Sequence, residues 1–396
     1  MKRVGIVCEF NPFTEGHAYL LDEVRRAGAE TVVCLMSGLF VQRGEPAIMP
    51  PYYRAKAAVA SGADAVFMLP FPASSAGAGY FAEAAVKILS ELGCDTIAFG
   101  SECGDTEELC RKADIFSAAF PDVKSAGLSD HSATGIAESF FSSGNESPND
   151  ILAINYILAV RRLAPRIGLF TVKRLGDGYR EASSGIPGGP LPSASGVRRL
   201  LCDRPPEAVP GLPEGSADSI KEAVNDGCFP VVPEKAGPFL HASWRLSENG
   251  ENLAECGGGL WSFLHRAALS SEDYTAFRRL ASTKRYTTSR INRAVLFGAL
   301  GVKASELDSP PAYVRLLAAD SEGRRIAAEA RNKGGISIVT RVSDIPDTPE
   351  AVAQYRLESR SAALYSLLLP RPLPADALLK NPPHIDFSDG KIGKKE

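Results

Sequence analysis

Near the N-terminus, Thr14-Glu15-Gly16-His17 sets a hydroxyl and an imidazole around a glycine, between the apolar run Val4-Gly5-Ile6-Val7 and a segment patterned as a helix. A helix N-terminus offers free backbone N–H groups and the positive end of its dipole, and both suit phosphate. The glycine lets an anion approach the backbone, and His17 can donate to an oxygen whose charge grows in a transition state. A capped helix with an incidental histidine fits the same four residues. Three further loops hold similar chemistry. Residues 37–46 (SGLFVQRGEP) mix two glycines with Gln42 and Arg43, as a substrate loop or a long solvated turn would. In Phe99-Gly100-Ser101-Glu102, the glycine either admits a nucleotide against the backbone or simply ends a strand. In SASGVR, Ser193 and Ser195 stand at a helix start with Arg198 one turn on. That trio can grip terminal phosphates through charge-assisted bonds, or serve as an N-cap beside a surface charge.

Such loops need elements to position them. Strand-like runs at residues 4–8, 31–36, 65–69 and 96–99 alternate with helix-like patterns at 18–27, 53–61 and 80–92. The alternation predicts βαβ units and a mostly parallel sheet, whose ligands bind beyond the carboxyl ends of the strands. Residues 117–160 read as helical with a break at 142–148, and residues 167–172 as one more strand. Residues 185–192 read as a flexible loop, followed by a helix capped by Ser193 or Ser195. Beyond about residue 205 the alternation stops, and helical runs follow at 260–269, 273–281 and 290–300. A small α/β piece spans 313–319, 324–333 and 336–340. This predicts three parts: 1–205, a mainly helical 206–370, and a tail, 371–396, as a surface arm or disordered segment.

Composition narrows the classes. The chain has 396 residues, 44% of them hydrophobic and 23% charged, with net charge −3. That is the profile of a soluble globular protein with a sizeable core. Its eight cysteines contain no CxxC pair and several sit in apolar runs, so reduced thiols in a cytoplasmic protein are expected. Five scattered histidines offer no zinc-ligand spacing, and no metal ligand is assigned to the chain. There is no membrane-length apolar run and no signal segment. Residues 77–82 (GAGYFA) fit GxGxxA but lie too far past their strand for a dinucleotide fingerprint, and no P-loop motif occurs.

The near-neutral average hides a local patch. From Arg278 to Lys303 there are seven basic residues and no acidic one. Tyr286, Arg290 and Arg293 recur at i, i+4 and i+7, a spacing that predicts one shared helix face. With Lys284 and Arg285 they form an expected RNA-binding group, the ring stacking on a base and the cations meeting phosphates. A solvated basic face is the plainer alternative.

Taken together, the TxGH loop and the late Ser-x-x-Arg segment resemble the HxGH nucleotidyltransferase superfamily. More narrowly, "GIVCEFNPFTEGH", "SGLFVQRGEPAI", "GADAVFMLPF", "FAEAAVKILSELG", "FGSE", "SPNDILAINYILA", "VKRLGDGY" and "TKRYTTSRINR" are similar, in order, to the bacterial tRNA(Met) cytidine acetate ligase family. "YVRLLAADSEGR" extends the match. The resemblance implies a Rossmann-like nucleotidyltransferase domain with a parallel sheet, plus a mainly helical C-terminal RNA-binding domain. It implies that acetate attacks ATP to give acetyl-adenylate, and that the acetyl group passes to N4 of the wobble cytidine of elongator tRNA(Met). By motif, ATP is expected on Val7, Cys8, Glu9, Phe10, Asn11, Pro12, Phe13, Thr14, Glu15, Gly16, His17, Ala18, Tyr19 and Leu20, and on Gly100, Asn149 and Arg174. Ser195 and Arg198 join from the superfamily pattern, with His17 and Thr14 as the catalytic pair and Mg2+ accompanying ATP. Thr14 stands where the family usually has histidine, and Leu39 where it usually has asparagine. A small-metabolite adenylyltransferase and a non-catalytic RNA-binding relative remain the rival readings.

Overall fold

The structure, a computed structural model, describes residues 1–119, 147–174, 192–248, 250, 252–283 and 285–386. Residues 120–146, 175–191, 249, 251, 284 and 387–396 lie outside it. The loop at 185–191, most of the 142–148 break and much of the expected 117–160 helical stretch therefore fall outside the described residues.

Five strands alternate with helices as the sequence predicts: β1 (Arg3–Cys8), β2 (Thr31–Ser37), β3 (Ala65–Leu69), β4 (Thr96–Ser101) and β5 (Gly168–Lys173). Every residue of β2 and β3 is buried, because a parallel sheet is covered on both faces. On one face lie α1 (Glu15–Arg26) and α2 (Pro51–Ala60), with Leu21, Val24, Ala55 and Ala58 against Val4, Ile6 and Cys34. The other face carries α3 (Ala78–Glu91), α4 (Thr106–Ala119) and α5 (Pro148–Leu163), whose apolar residues pack on Val33, Phe67, Ile97 and Phe99. Ser147 caps α5, accepting the Asp150 N–H, and Pro148 fits the first turn, where its missing N–H costs nothing.

The helical part follows: α6 (Ala194–Asp203), α7 (Glu214–Asn225), α8 (Gly237–Arg245), α9 (Leu260–Leu269), α10 (Tyr274–Ala281), α11 (Thr288–Leu300) and the short α12 (Ala304–Asp308). After β6 (Tyr313–Ala319) come α13 (Ser321–Asn332), β7 (Ser337–Val339), α14 (Pro349–Leu368) and β8 (His384–Ile385). Helices α7 to α11 and α14 share a third core with Leu39, Phe40, Met49 and Phe71, residues of the loops that leave β2 and β3.

The strand order is β5-β4-β1-β2-β3-β6-β7, with β8 on β6. All pairings are parallel except β3 with β6. Two features depart from the sequence expectation. The small α/β piece does not stand apart in the helical segment: β6 runs antiparallel to β3, Ala65 opposite Ala319 and Met68 opposite Arg315, so one sheet draws strands from both 1–205 and 206–370. The expected tail is also part of the fold up to Asp386, since Leu378 and Leu379 are buried and His384 and Ile385 pair with β6. From β1 the chain builds outward through β2 and β3, then crosses to β4 and β5 on the opposite side. The crevice between β1 and β4 is therefore the switch point, where open α/β sheets hold ligands.

Candidate active site and RNA-facing helix

The β1–α1 loop lies over that switch point. Phe10 holds a φ of 43°, a left-handed conformation costly for a bulky side chain. Its ring is fixed edge-on against Phe13 at 4.8 Å and His17 at 5.0 Å. Thr14 begins α1, and its backbone N–H donates to His17 Nδ1 at 3.0 Å. A backbone N–H always carries its proton, so Nδ1 must be the acceptor and Nε2 holds the ring hydrogen. Burial, and then the positive Arg174, push the His17 pKa down to about 3. His17 is thus a neutral imidazole with Nε2–H as its donor.

Thr14 is 4% exposed, and its hydroxyl lies 3.0 Å from His17 Nδ1. The hydroxyl faces the imidazole it helps to orient, which makes Thr14 a positioning group for His17.

Behind the loop sits a residue the sequence reading passed over. Arg54 of α2 is 0% exposed. Its guanidinium donates to the carbonyl oxygens of Met49 (3.1 Å), Glu9, Ser37 (3.1 Å) and Gly38. The Glu9, Ser37 and Gly38 carbonyls lie at the ends of β1 and β2 and that of Met49 just before α2, so one buried cation holds these segments together. Burial lowers its pKa to about 10, and the charge remains at neutral pH. An arginine inside "PYYRAKAAV" carries no sequence signal of this, since only the fold turns it inward.

At the carboxyl ends of β4 and β5 a second cluster forms around Glu102. Its carboxylate accepts Ser147 Oγ at 2.6 Å and Asn149 Nδ2 at 2.5 Å, and pairs with Arg174 Nε at 3.5 Å. Buried Asp150 accepts the Glu102 and Cys103 N–H groups at 3.0 and 3.2 Å. A side chain at Gly100 would place its Cβ 3.4 Å from Arg174 Cγ, so glycine keeps the strand end clear beside that arginine. Gly100, Asn149 and Arg174 are therefore gathered at one place, through a carboxylate outside the expected site. The field of Arg174 on His17 joins this cluster to the first.

The remaining site residues close the crevice. Ser193 caps α6, accepting the Gly196 N–H at 3.2 Å, while Ser195 Oγ accepts Arg198 Nη2 at 3.0 Å. Arg198 Nη1 donates to Asn11 O at 2.6 Å and so ties α6 to the β1–α1 loop. Glu9 accepts the Gln42 N–H at 3.0 Å. Arg43 and Arg198, both lowered by burial, feel the opposing charges of Glu9 and Glu45. Gly44 packs directly on α11: at its φ of 73°, a Cβ would lie 2.7 Å from Arg293 N. Asn292 donates to Glu45 at 3.1 Å. Leu39 is buried in the third core and presents no polar group to the crevice.

The basic segment divides. Tyr286 precedes α11, whose cap is Thr287, so Tyr286 is not on the helix face its spacing predicts. The guanidiniums of Arg285 (5.2 Å) and Arg290 (5.1 Å) both lie against its ring, and its hydroxyl donates to Gly258 O at 2.9 Å. Arg293 corrects the expectation outright. It is 1% exposed and its Nε meets Glu255 Oε1 at 3.0 Å, while that same oxygen accepts the Gly77 N–H at 2.9 Å. A guanidinium so enclosed does not reach a phosphate at the surface. Lys284 lies outside the described residues.

The HIGH nucleotidyl transferase family model matches residues 1–377. The tRNA(Met) cytidine acetate ligases of Acetivibrio thermocellus and Syntrophotalea carbinolica are 32% and 33% identical, over 90% and 93% of this chain and 92% and 95% of theirs. The chain belongs to the tRNA(Met) cytidine acetate ligase family.

A solved structure agrees in shape. That of Thermotoga maritima TmcAL bound with alpha-thio ATP is similar with a TM-score of 0.82 and 30% identity, covering 97% of this chain and 100% of that one. Within this ligase family fold, the residues from Val7 to Leu20 form the end of β1, the loop and the start of α1. Cys8 is half-buried, with Sγ 3.7 Å from Leu35 O, and burial raises its thiol pKa. Glu15 donates its N–H to Gly211 O at 2.9 Å, and Ser216 Oγ donates to Phe13 O at 2.8 Å, so the helical part braces the loop from outside. Among the described residues no helix is long and apolar enough to cross a membrane.

Proposed function

We propose that this protein is an ATP-dependent ligase that activates acetate as acetyl-adenylate and acetylates the wobble cytidine of elongator tRNA(Met), in the cytoplasm. The observation that carries the reading is the convergence of His17, Gly100, Asn149 and Arg174 on the switch point between β1 and β4. ATP lies there across the strand ends. His17 Nε2–H donates to a phosphate oxygen whose charge grows as pyrophosphate leaves, and a neutral imidazole does so without altering its own protonation. Arg174 and Arg198 neutralise phosphate charge from either side, and Arg54 fixes the loops after β1 and β2 that border the crevice. Acetate is already ionised near neutral pH, so its oxygen attacks the α-phosphorus without a base, and positioning supplies most of the acceleration.

Among the described residues no group of three His, Cys, Asp or Glu side chains could hold a metal ion. For the RNA half, Arg285, Tyr286 and Arg290 present an aromatic ring with two cations beside it, suited to a stacked base and its flanking phosphates. Pyrophosphate release with and without acetate, followed by labelled acetate transfer to tRNA(Met), tests the reading. Acetate-independent release with some other acceptor would favour a small-metabolite adenylyltransferase, and no release at all a non-catalytic relative.

A further inference from the structure

The second half-reaction needs a proton acceptor that the first does not. Cytosine carries one exocyclic amine, whose lone pair is delocalised into the ring. As that nitrogen attacks the acyl carbon, an N–C bond forms and the acyl C–O bond to phosphate breaks. AMP leaves with the electron pair, and the nitrogen must lose one proton. A positioned carboxylate or imidazole is the usual receiver.

Most groups in the crevice are otherwise engaged. His17 Nδ1 accepts the Thr14 N–H and Nε2 holds the ring hydrogen. Glu102 is bonded by Ser147, Asn149 and Arg174, and Asp150 accepts two backbone N–H groups. Glu9 belongs to the nucleotide side, where it accepts Gln42 N–H.

We propose that Glu45 receives this proton, holding the target amine between the nucleotide crevice and the RNA-facing helix. The inference rests on the function proposed above. Glu45 is half-buried, and its loop reaches the crevice through Gln42 and Glu9. The same loop is docked on α11 by Gly44 and by the Asn292–Glu45 bond, which engages Oε1. Two residues before Asn292, the same helix carries Arg290, stacked on Tyr286. The charge of Glu45 also acts on Arg198, whose guanidinium is bonded to the β1–α1 loop, so this carboxylate stands at the edge of the crevice on the side of α11. A carboxylate is also the group that pairs with the amine of cytosine in direct readout.

The test separates the half-reactions in full-length protein, with pyrophosphate release read beside acetyl transfer to tRNA(Met). In Glu45→Gln the ratio of transfer to activation should fall by about 10²–10⁴-fold, the contribution of a general base. Glu45→Asp, which keeps the carboxylate, should recover part of it. Asn292→Ala breaks the docking bond and keeps the carboxylate, so on this reading its ratio should fall less than that of Glu45→Gln. A Glu45→Gln ratio equal to the parent's overturns the inference. So does an equal fall of the ratio in Asn292→Ala, which would make Glu45 a docking contact only. A parent protein that activates acetate but never transfers it overturns the proposed function, and the inference with it.

Discussion

The nucleotide crevice and the basic helix were read from the same sequence by different means, and the structure treats them differently. In the crevice, residues expected to act together are brought together: Gly100, Asn149 and Arg174 meet at Glu102, and Arg198 meets the Asn11 carbonyl. On α11, residues expected on one face are split, Arg290 onto Tyr286 and Arg293 into the interior with Glu255. The crevice reading rested on motifs implied by the family resemblance, and those motifs fall where a parallel sheet turns. The helix reading rested on counting charge. A long guanidinium side chain follows a buried carboxylate wherever the fold supplies one, and Glu255, 38 residues upstream, does so here.

The largest effect expected from this contrast is on stability. Arg293→Ala should destabilise the fold by about 3–5 kcal/mol, because it leaves the buried Glu255 carboxylate without its counter-charge. Denaturant unfolding measures it, and the salt dependence of tRNA binding by the folded fraction should not change. A stable variant with a shallower salt slope would restore Arg293 to the RNA surface. Next in size, His17→Ala should slow acetate-dependent pyrophosphate release by about 10²–10³-fold, the cost of one transition-state donor. Its effect on ATP affinity should be smaller. Weakened ATP binding with an unchanged rate at saturation would mean that His17 holds the ground state instead.

Physical reasons decide which parts of the molecule were legible. Strands β1 to β4 match the apolar runs within two residues, because strands buried on both faces must be almost wholly apolar. The β3–β6 pairing was invisible, since its partners lie 250 residues apart and pairing leaves no local pattern. Arg54 was invisible for the opposite reason, as its helix neighbours look ordinary and its partners are backbone carbonyls with no sequence identity. Tyr286 was placed on the wrong element because the i, i+4, i+7 count ran straight through the Thr287 cap.

A smaller effect sharpens the RNA side. Tyr286→Ala should weaken tRNA binding by about 1–3 kcal/mol if the ring stacks on a base. Arg285→Ala should instead lower the salt slope by about 0.7–0.9 for the phosphate it meets. A matching loss of ATP affinity in Tyr286→Ala would mean that helix and crevice are not separate binding faces.

The smallest effect is an expected constancy, and it bears on the state of His17. An exposed histidine titrates near pH 6.5, whereas burial and Arg174 bring His17 down to about 3. The folded protein thus keeps this imidazole neutral throughout pH 6–8. The triphosphate itself gains a proton near pH 6, so the absolute rate can bend there for reasons outside the protein. That bend is common to the parent and to His17→Gln, whose amide donates but never titrates. Their rate ratio should therefore stay flat between pH 6 and 8. Stability has its own direction: with the folded pKa depressed, the unfolded chain binds the proton first. The contribution of His17 is thus full above pH 6.5 and declines as pH falls from there toward 3. A rate ratio that bends near pH 6.5 would show a charged His17 in the reacting complex, with ATP having drawn a proton onto the ring. The donor would then be an imidazolium, and Thr14 N–H could no longer give its hydrogen to Nδ1.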